Sequence, residues 1–271
     1  MVEMDNCLIS IIIPFYNNNK TVRHALQSAL IQRLSGETGS SDDIISGCEK
    51  RDMAEILIVD ASGSFSDKLT DGLDNPYGYT IRMIRGDKKL DAADARNLGV
   101  KESKGRYIAF LDSDDWWQKD KLLTQLKIFE EADEEPGLVF TARRLCDENG
   151  RKTDKVITAP GRVTFKNLLR SNYISCSSVV MKRSMAVKYP MKSGDIHEDY
   201  LCWLQMFKDG GYAAGINKPF LNYRSYRSSR SGKKFSSALM TYRTYKAAGF
   251  GFMRRLGCMV SYTVNGFRKY I

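Results

Sequence analysis

Hydrophobic positions cluster in short, unbroken runs through the first half of the chain, and polar residues close each run. Leu8–Ile13 is aliphatic and ends at Pro14; Ile56–Val59 ends at Asp60; Tyr107–Leu111 ends at Asp112. Apolar runs of this length, without alternation, predict strands buried on both faces. Thr80–Ile84 predicts a further strand. Between these runs the period changes to that of a helix. Thr21 opens a pattern with Val22, Ala25, Leu26, Ala29 and Leu30 on one face, and Asp91 is placed to cap a helix that runs to Val100. Trp117 to Ala132 predicts a third helix, with Leu122, Leu123, Leu126 and Phe129 turned inward. Strands alternating with helices over residues 8–132 predict an α/β fold with a doubly wound sheet and parallel central strands. Residues 35–52 are polar, carry three glycines and read as a surface loop.

Beyond residue 132 the rhythm changes. Leu138–Leu145 and Val156–Thr158, joined by the turn Asp147-Glu148-Asn149-Gly150, predict a β-hairpin, and Val179–Met181 and Phe220–Tyr223 predict more strands. Tyr200, Trp203, Leu204 and Phe207 fall at helical spacing before Gly210-Gly211. Two amphipathic helices are expected near 235–248 and 252–269. The chain therefore divides into a catalytic-sized body over 1–225, with halves at about 1–115 and 116–225, and a tail over 226–271.

Charge sharpens that division. The 271 residues carry a net charge of +10, but from Gly210 onward there is no Asp or Glu, while Lys and Arg number 12. Removing those 12 from the 42 basic residues leaves 30 against 32 acidic ones in the body, so the whole excess lies at the end. In the tail, Tyr242, Tyr245, Phe250, Phe252, Tyr262, Phe267 and Tyr270 interleave with Arg243, Lys246, Arg254, Arg255, Arg268 and Lys269. Such a segment is either a helical lid packed on the body or an interfacial helix pair facing anionic headgroups. The six cysteines form no C-x-x-C pair and read as small core residues of a reducing compartment. No export signal or membrane-length apolar stretch is seen, so a cytoplasmic chain is expected.

The acidic strand ends carry the chemistry. Ligands of open α/β sheets bind outside the carboxyl ends of the strands. The cluster Asp112-Ser113-Asp114-Asp115 stands at such a point, and a carboxylate pair there suits a hard divalent cation, Mg²⁺ or Mn²⁺, that also binds substrate phosphate. The same residues allow a plainer reading, in which one Asp caps the next helix. Asp115 is the residue expected to do so.

Several segments resemble one family. Ile11-Ile12-Ile13-Pro14-Phe15-Tyr16-Asn17 is similar to the opening motif of family 2 glycosyltransferases, which have the GT-A fold. Ile56–Ser64 resembles their second-strand motif. Ala95-Arg96-Asn97-Leu98-Gly99 followed by Gly105–Asp115 matches their A-R-N-x-G…G-x-Y-I-x-F-L-D-x-D-D block, and His197-Glu198-Asp199-Tyr200-Leu201-Cys202-Trp203-Leu204 resembles their acidic motif. The set keeps the family order over residues 8–207. The tail and the Asn172–Arg183 segment also resemble bacterial transferases that extend surface polysaccharides such as O-antigen, capsule and exopolysaccharide.

The resemblance implies a mixed central sheet with a helical basic extension, and transfer of a hexose from a nucleotide-diphosphate donor, UDP-linked in most members. It implies that Asp114, with Asp112, holds the metal. Pro14, Tyr16 and Asn17 would line the nucleotide pocket, Asp60 would lie near base and ribose, and Asp112 would contact ribose or metal. Arg96 would meet the pyrophosphate or brace the aspartates; its plain alternative is a surface helix arginine. Asp199 is the implied general base of an inverting transfer, compatible with a place at a helix amino terminus. The implied acceptor is a saccharide on a polyprenyl diphosphate, reached by peripheral contact of the tail with the inner face of the cytoplasmic membrane. Ala61 stands where the family often has a second acid touching the pyrimidine, and Lys119 where it often has proline. Trp116 and Trp117 are expected to pack rather than stack on sugar. A nucleotidyltransferase would carry a glycine-rich basic loop after the first strand, which Phe15-Tyr16-Asn17-Asn18-Asn19 is not. A non-catalytic module binding nucleic acid or membrane would explain the tail and leave the acidic strand ends without a role, so no nucleic-acid partner is expected.

Overall fold

A computed structural model describes residues 7–17, 19–35, 53–86, 89–226 and 234–270; most of the polar loop predicted over 35–52 lies outside them. The predicted buried runs form β1 (Ile9–Phe15), β2 (Ala54–Asp60), β3 (Thr80–Arg85) and β4 (Tyr107–Phe110). They lie side by side and parallel in the order β3-β2-β1-β4. Pro14 does not end β1; it pairs in register with Val59. Pairing of β1 with β4 stops at Ile12, so no partner strand on that side needs the missing N–H.

The sheet continues as a mixed one. β9 (Val180–Lys182) runs antiparallel to β4 and to β6 (Leu138–Cys146), β10 (Ala213–Arg224) runs parallel to β6, and β5 (Trp116–Trp117) closes the edge antiparallel to β10. β7 (Lys152–Ile157) completes the predicted hairpin with β6, and β8 (Arg162–Val163) adds to β10. Because alternate residues face opposite sides, Ile11 and Ile13 enter one core and Ile12 the other. On the first side lie α1 (Asn19–Leu30) and α3 (Lys121–Glu131). On the second lie α2 (Ala92–Glu102), the short α4 (Phe165–Leu168) and α5 (Arg183–Lys188), α6 (Glu198–Phe207) and α7 (Lys234–Ala247). α8 (Phe252–Tyr270) packs on that side through Cys258, Met259 and Tyr262.

Two expectations are corrected. Trp117 does not start a helix: it pairs with Leu221, as Trp116 does with Asn222, and α3 begins at Lys121 after Asp120, whose φ of 64° makes the left-handed corner. Asp115 caps nothing. It is buried and its carboxylate accepts from the Arg224 backbone N–H at 2.9 Å, a partner 109 residues away. Asp91 does cap α2, accepting from Asp94 N–H at 2.9 Å. The motif glycines are packing residues: a Cβ on Gly99 would lie 2.5 Å from Ile12 Cγ2, and one on Gly105 2.4 Å from the Ser10 backbone nitrogen. Among the described cysteines, Cys146, Cys176, Cys202 and Cys258 are buried and form no disulfide.

Candidate active site

The carboxyl ends of β1, β2 and β4 stand together because these strands are parallel neighbours. A cleft of about 610 Å³ opens over them, lined by Pro14, Tyr16, Ala61, Lys89, Arg96, Asp112 and Asp114 among others. It thus gathers five of the predicted site residues from three separate motifs. Asn17, Asp60 and Asp199 are not in its lining. Asn17 sits at the end of β1 with φ of 50°, a conformation that asparagine accepts more readily than most residues.

Asp60 is 2% exposed, and its carboxylate is engaged by its own loop. It accepts from the N–H groups of Ser62, Gly63 and Phe65 and from the Ser62 hydroxyl, at 2.9–3.1 Å. Burial alone would raise its pKa; the Phe65, Ser62 and Gly63 donors outweigh that and hold it below the usual carboxylate range. Asp60 therefore shapes the turn after β2. Ala61, next to it, is tied on both sides: its N–H donates to Phe15 C=O and its C=O accepts from Leu90 N–H.

The other strand end is built differently. Asp114 has its pKa pushed up to about 6 by burial first and by the neighbouring Asp112 charge second. Arg224 and Arg96 pull it down only in part. The turn itself is held from outside: Asp112 N–H donates to Ser177 Oγ at 3.1 Å, and Arg224 Nε donates to Asp114 C=O at 3.0 Å. Trp116 and Trp117 are buried, and Trp117 Nε1 donates to Ser177 C=O at 2.7 Å. Ser177 lies in the turn Cys176–Ser178, which the sequence pattern did not single out.

Arg96 is not a surface residue. It is 5% exposed, donates to Asp112 Oδ1 at 2.5 Å and reaches Glu198 Oε1 at 3.1 Å. Burial opposes its charge, but Asp112 and Glu198 keep the guanidinium firmly protonated. A single side chain on α2 therefore clasps the end of β4 to the first turn of α6. Glu198, buried beside it, was missed as a site residue; its only signal in the sequence was its place before Asp199. Asp199 has its carboxyl raised by burial and then by the Glu198 charge, with His197 and Arg96 working the other way. Lys89, also missed, lines the cleft with its Nζ 5.0 Å from the centre of the Tyr16 ring.

The donor set fits a hard divalent cation. Two carboxylates share one cleft wall, the Arg96 guanidinium that touches Asp112 is divided with Glu198, and burial, then the Asp112 charge, hold the Asp114 pKa above its usual range. No group of three or more acidic, histidine or cysteine ligands occurs among the described residues. A metal here would complete its shell with phosphate and water oxygens, as Mg²⁺ does in substrate-bound sites.

A mixed sheet with a parallel centre, and an acidic turn at the carboxyl end of β4, is the architecture of the GT-A class. Residues 10–220 match the model of glycosyl transferase family 2, and the chain belongs to that family and is a glycosyltransferase. It is 30% identical, over 97% of each chain, to TuaG of Bacillus subtilis (strain 168), named for teichuronic acid biosynthesis. It is 29% identical to WfaP of Escherichia coli, a UDP-Glc:α-D-GlcNAc-diphosphoundecaprenol β-1,3-glucosyltransferase, over 97% of this chain and 95% of that one. In fold it is similar to TarS of S. aureus, residues 1–349, in complex with UDP-GlcNAc: the TM-score is 0.64 at 17% identity, over 89% of this chain and 65% of that one.

Proposed function

We propose that this chain is a metal-dependent, inverting hexosyltransferase that moves a sugar from a UDP-sugar to a saccharide carried on a polyprenyl diphosphate. The observation that carries the reading is the Asp112–Asp114 turn, which sets two carboxylates on the wall of one cleft, with the Asp114 pKa pushed up to about 6. Asp114 and Asp112 are the residues to hold Mg²⁺ or Mn²⁺. The cation would neutralise charge that develops on the leaving diphosphate. Lys89 and the Pro14–Tyr16 rim border the same space, and Asn17 and Asp60 shape its loops. The donor half is thus about 1–115 and the acceptor half about 116–225.

Asp199 serves as general base. The acceptor hydroxyl oxygen attacks the anomeric carbon, the bond from that carbon to the diphosphate oxygen breaks, and its electron pair leaves with the diphosphate. The hydroxyl proton passes to Asp199, whose raised pKa makes it a better acceptor than an ordinary carboxylate. One displacement on the face opposite the leaving group inverts the anomeric centre. UDP and the lipid carrier are supported by the substrates in the names of WfaP and of a second Escherichia coli relative, WfgD, 30% identical over 98% of this chain. Among the described residues no helix is long and apolar enough to cross a membrane, so the reading places the chain peripherally, at the cytoplasmic face, in surface polysaccharide synthesis, with the 226–271 tail as its contact.

The test is transfer from UDP-glucose and UDP-GlcNAc to a polyprenyl-diphosphate-linked GlcNAc, with Mn²⁺ or with EDTA, and NMR of the new linkage. Metal-dependent product with inverted configuration supports the reading. Product formed equally in EDTA, or with retained configuration, overturns it.

A further inference from the structure

The two helices of the basic tail have different surroundings. α7 is bound into the body. Tyr245 and Tyr200 share a hydroxyl contact at 3.0 Å, Tyr200 donates to Leu168 C=O and Tyr245 to Leu169 C=O. Thr244 Oγ1 accepts the His197 N–H at 3.0 Å, and Arg243 pairs with Asp195. α8 turns one face to the body, where the Tyr262 ring lies 6.0 Å from that of Tyr200. Its other face carries Phe252, Met253, Leu256 and Val260, all exposed; Met253 is 77% and Val260 67% exposed. At 100° per residue these four fall within about a quarter turn, so they form one continuous apolar stripe.

We infer that this stripe of α8 is a lipid-insertion face selective for anionic bilayers, which sets the side of the molecule that carries the first turn of α6 toward the membrane. The inference rests on the lipid-linked acceptor proposed above and names the surface that reaches it. Charge argues for lipid over a second copy of the chain. From residue 210 onward there is no acidic side chain, so two such tails brought face to face would repel, whereas anionic headgroups would attract them. Arg254, exposed and with its guanidinium 4.4 Å from the centre of the Phe250 ring, adds to the positive charge that α8 carries. The orientation follows from Tyr262 and Tyr200: α8 packs on the first turn of α6, one residue from Asp199. A bilayer that takes up the stripe therefore lies on the acceptor side of the molecule.

The experiment is flotation of the full chain with vesicles of phosphatidylcholine alone and of phosphatidylcholine with 30% phosphatidylglycerol, for wild type and for the double variant Met253→Glu, Val260→Glu. Both positions are exposed, so an unchanged melting temperature is the folding control. The wild type is expected to float with the anionic vesicles and not with the neutral ones, and the double variant to lose roughly ten-fold or more in partitioning. Transfer to a soluble farnesyl-diphosphate-linked saccharide should be the same in both proteins, while transfer to the long-chain acceptor in anionic vesicles should fall in the variant. Equal flotation of variant and wild type overturns the inference. So does a wild-type dimer in sedimentation that the variant converts to monomer, which would put a second copy on this face. Loss of transfer to both acceptors in the wild type would instead overturn the proposed reaction, with flotation still judging α8.

Discussion

Asp60, the last residue of β2, and Asp114, in the turn after β4, both stand at the carboxyl ends of buried parallel strands, yet their electrostatics are opposite. Asp60 is met by three backbone N–H groups and a hydroxyl, and its pKa is lowered. Asp114 is half-buried beside another carboxylate, and its pKa is pushed up to about 6. A carboxylate satisfied by its own loop is a building element. One left short of positive charge at the wall of a cleft is poised for a ligand that brings it. Position at a strand end is thus a weak guide to function, and the neighbours decide.

The largest break in that comparison comes from Asp114→Asn, expected to lower kcat by about 10³–10⁴-fold, since a cation at this point is worth several kcal/mol to the leaving group. Its melting temperature should hold or rise, because a group that resists ionisation in the fold has been neutralised. Asp199→Asn should cost about 10²–10³-fold in kcat with the KM for donor nearly unchanged, the signature of a lost base. Full activity in Asp199→Asn would remove the base assignment. Asp60→Ala should reverse the pattern: stability falls by about 2–3 kcal/mol in urea unfolding through lost charge-assisted hydrogen bonds, with a smaller loss of kcat.

A finer effect concerns Glu198. Glu198→Gln keeps a hydrogen-bond acceptor for Arg96 but removes the charge, and should lower kcat by about ten-fold with little change in donor KM. Glu198→Ala strands a buried guanidinium and should cost about 3–5 kcal/mol of stability. If Gln and Ala behave alike, the clasp between α2 and α6 has no positioning role.

The pH dependence separates the two aspartates with the smallest signal. Asp60 has a folded pKa below its unfolded value, so its contribution is present above about pH 4 and lost as pH falls through the folded pKa. Asp114 has the opposite sign. Between the unfolded value near 4 and the folded value of about 6, the native state holds the extra proton, so this group favours folding as pH falls through that window and disfavours it above. Melting curves of wild type and Asp114→Asn should converge toward pH 4 and diverge, variant higher, above pH 6.

Much of the sheet was legible because its central strands are unbroken β-branched runs, and periodicity reports burial. Pro14, Tyr16, Asp112 and Asp114 came into one cleft because their motifs sit at the ends of those runs. What escaped notice depends on partners distant in sequence. Trp117 read as the start of a helix because its true partner, Leu221, is more than a hundred residues away. Asp115 read as a cap for the same reason, since Arg224 buries it. Arg96 is an ordinary helical arginine until Asp112 and Glu198, 16 and 102 residues off, close on it. Ser177 and Lys89 carry no local signal; they matter only through what the fold sets beside them.

The central claim is that Asp114 answers to a cation brought with the donor. Titration calorimetry of UDP into the wild type and into Asp114→Asn at pH 7.5, each with Mn²⁺ and with EDTA, tests it most directly. Binding by the wild type that needs Mn²⁺, and that Asp114→Asn loses by at least about ten-fold, is the result expected of a carboxylate–metal–phosphate bridge. Equal binding by the wild type in Mn²⁺ and EDTA, or by Asp114→Asn and wild type in Mn²⁺, would contradict it.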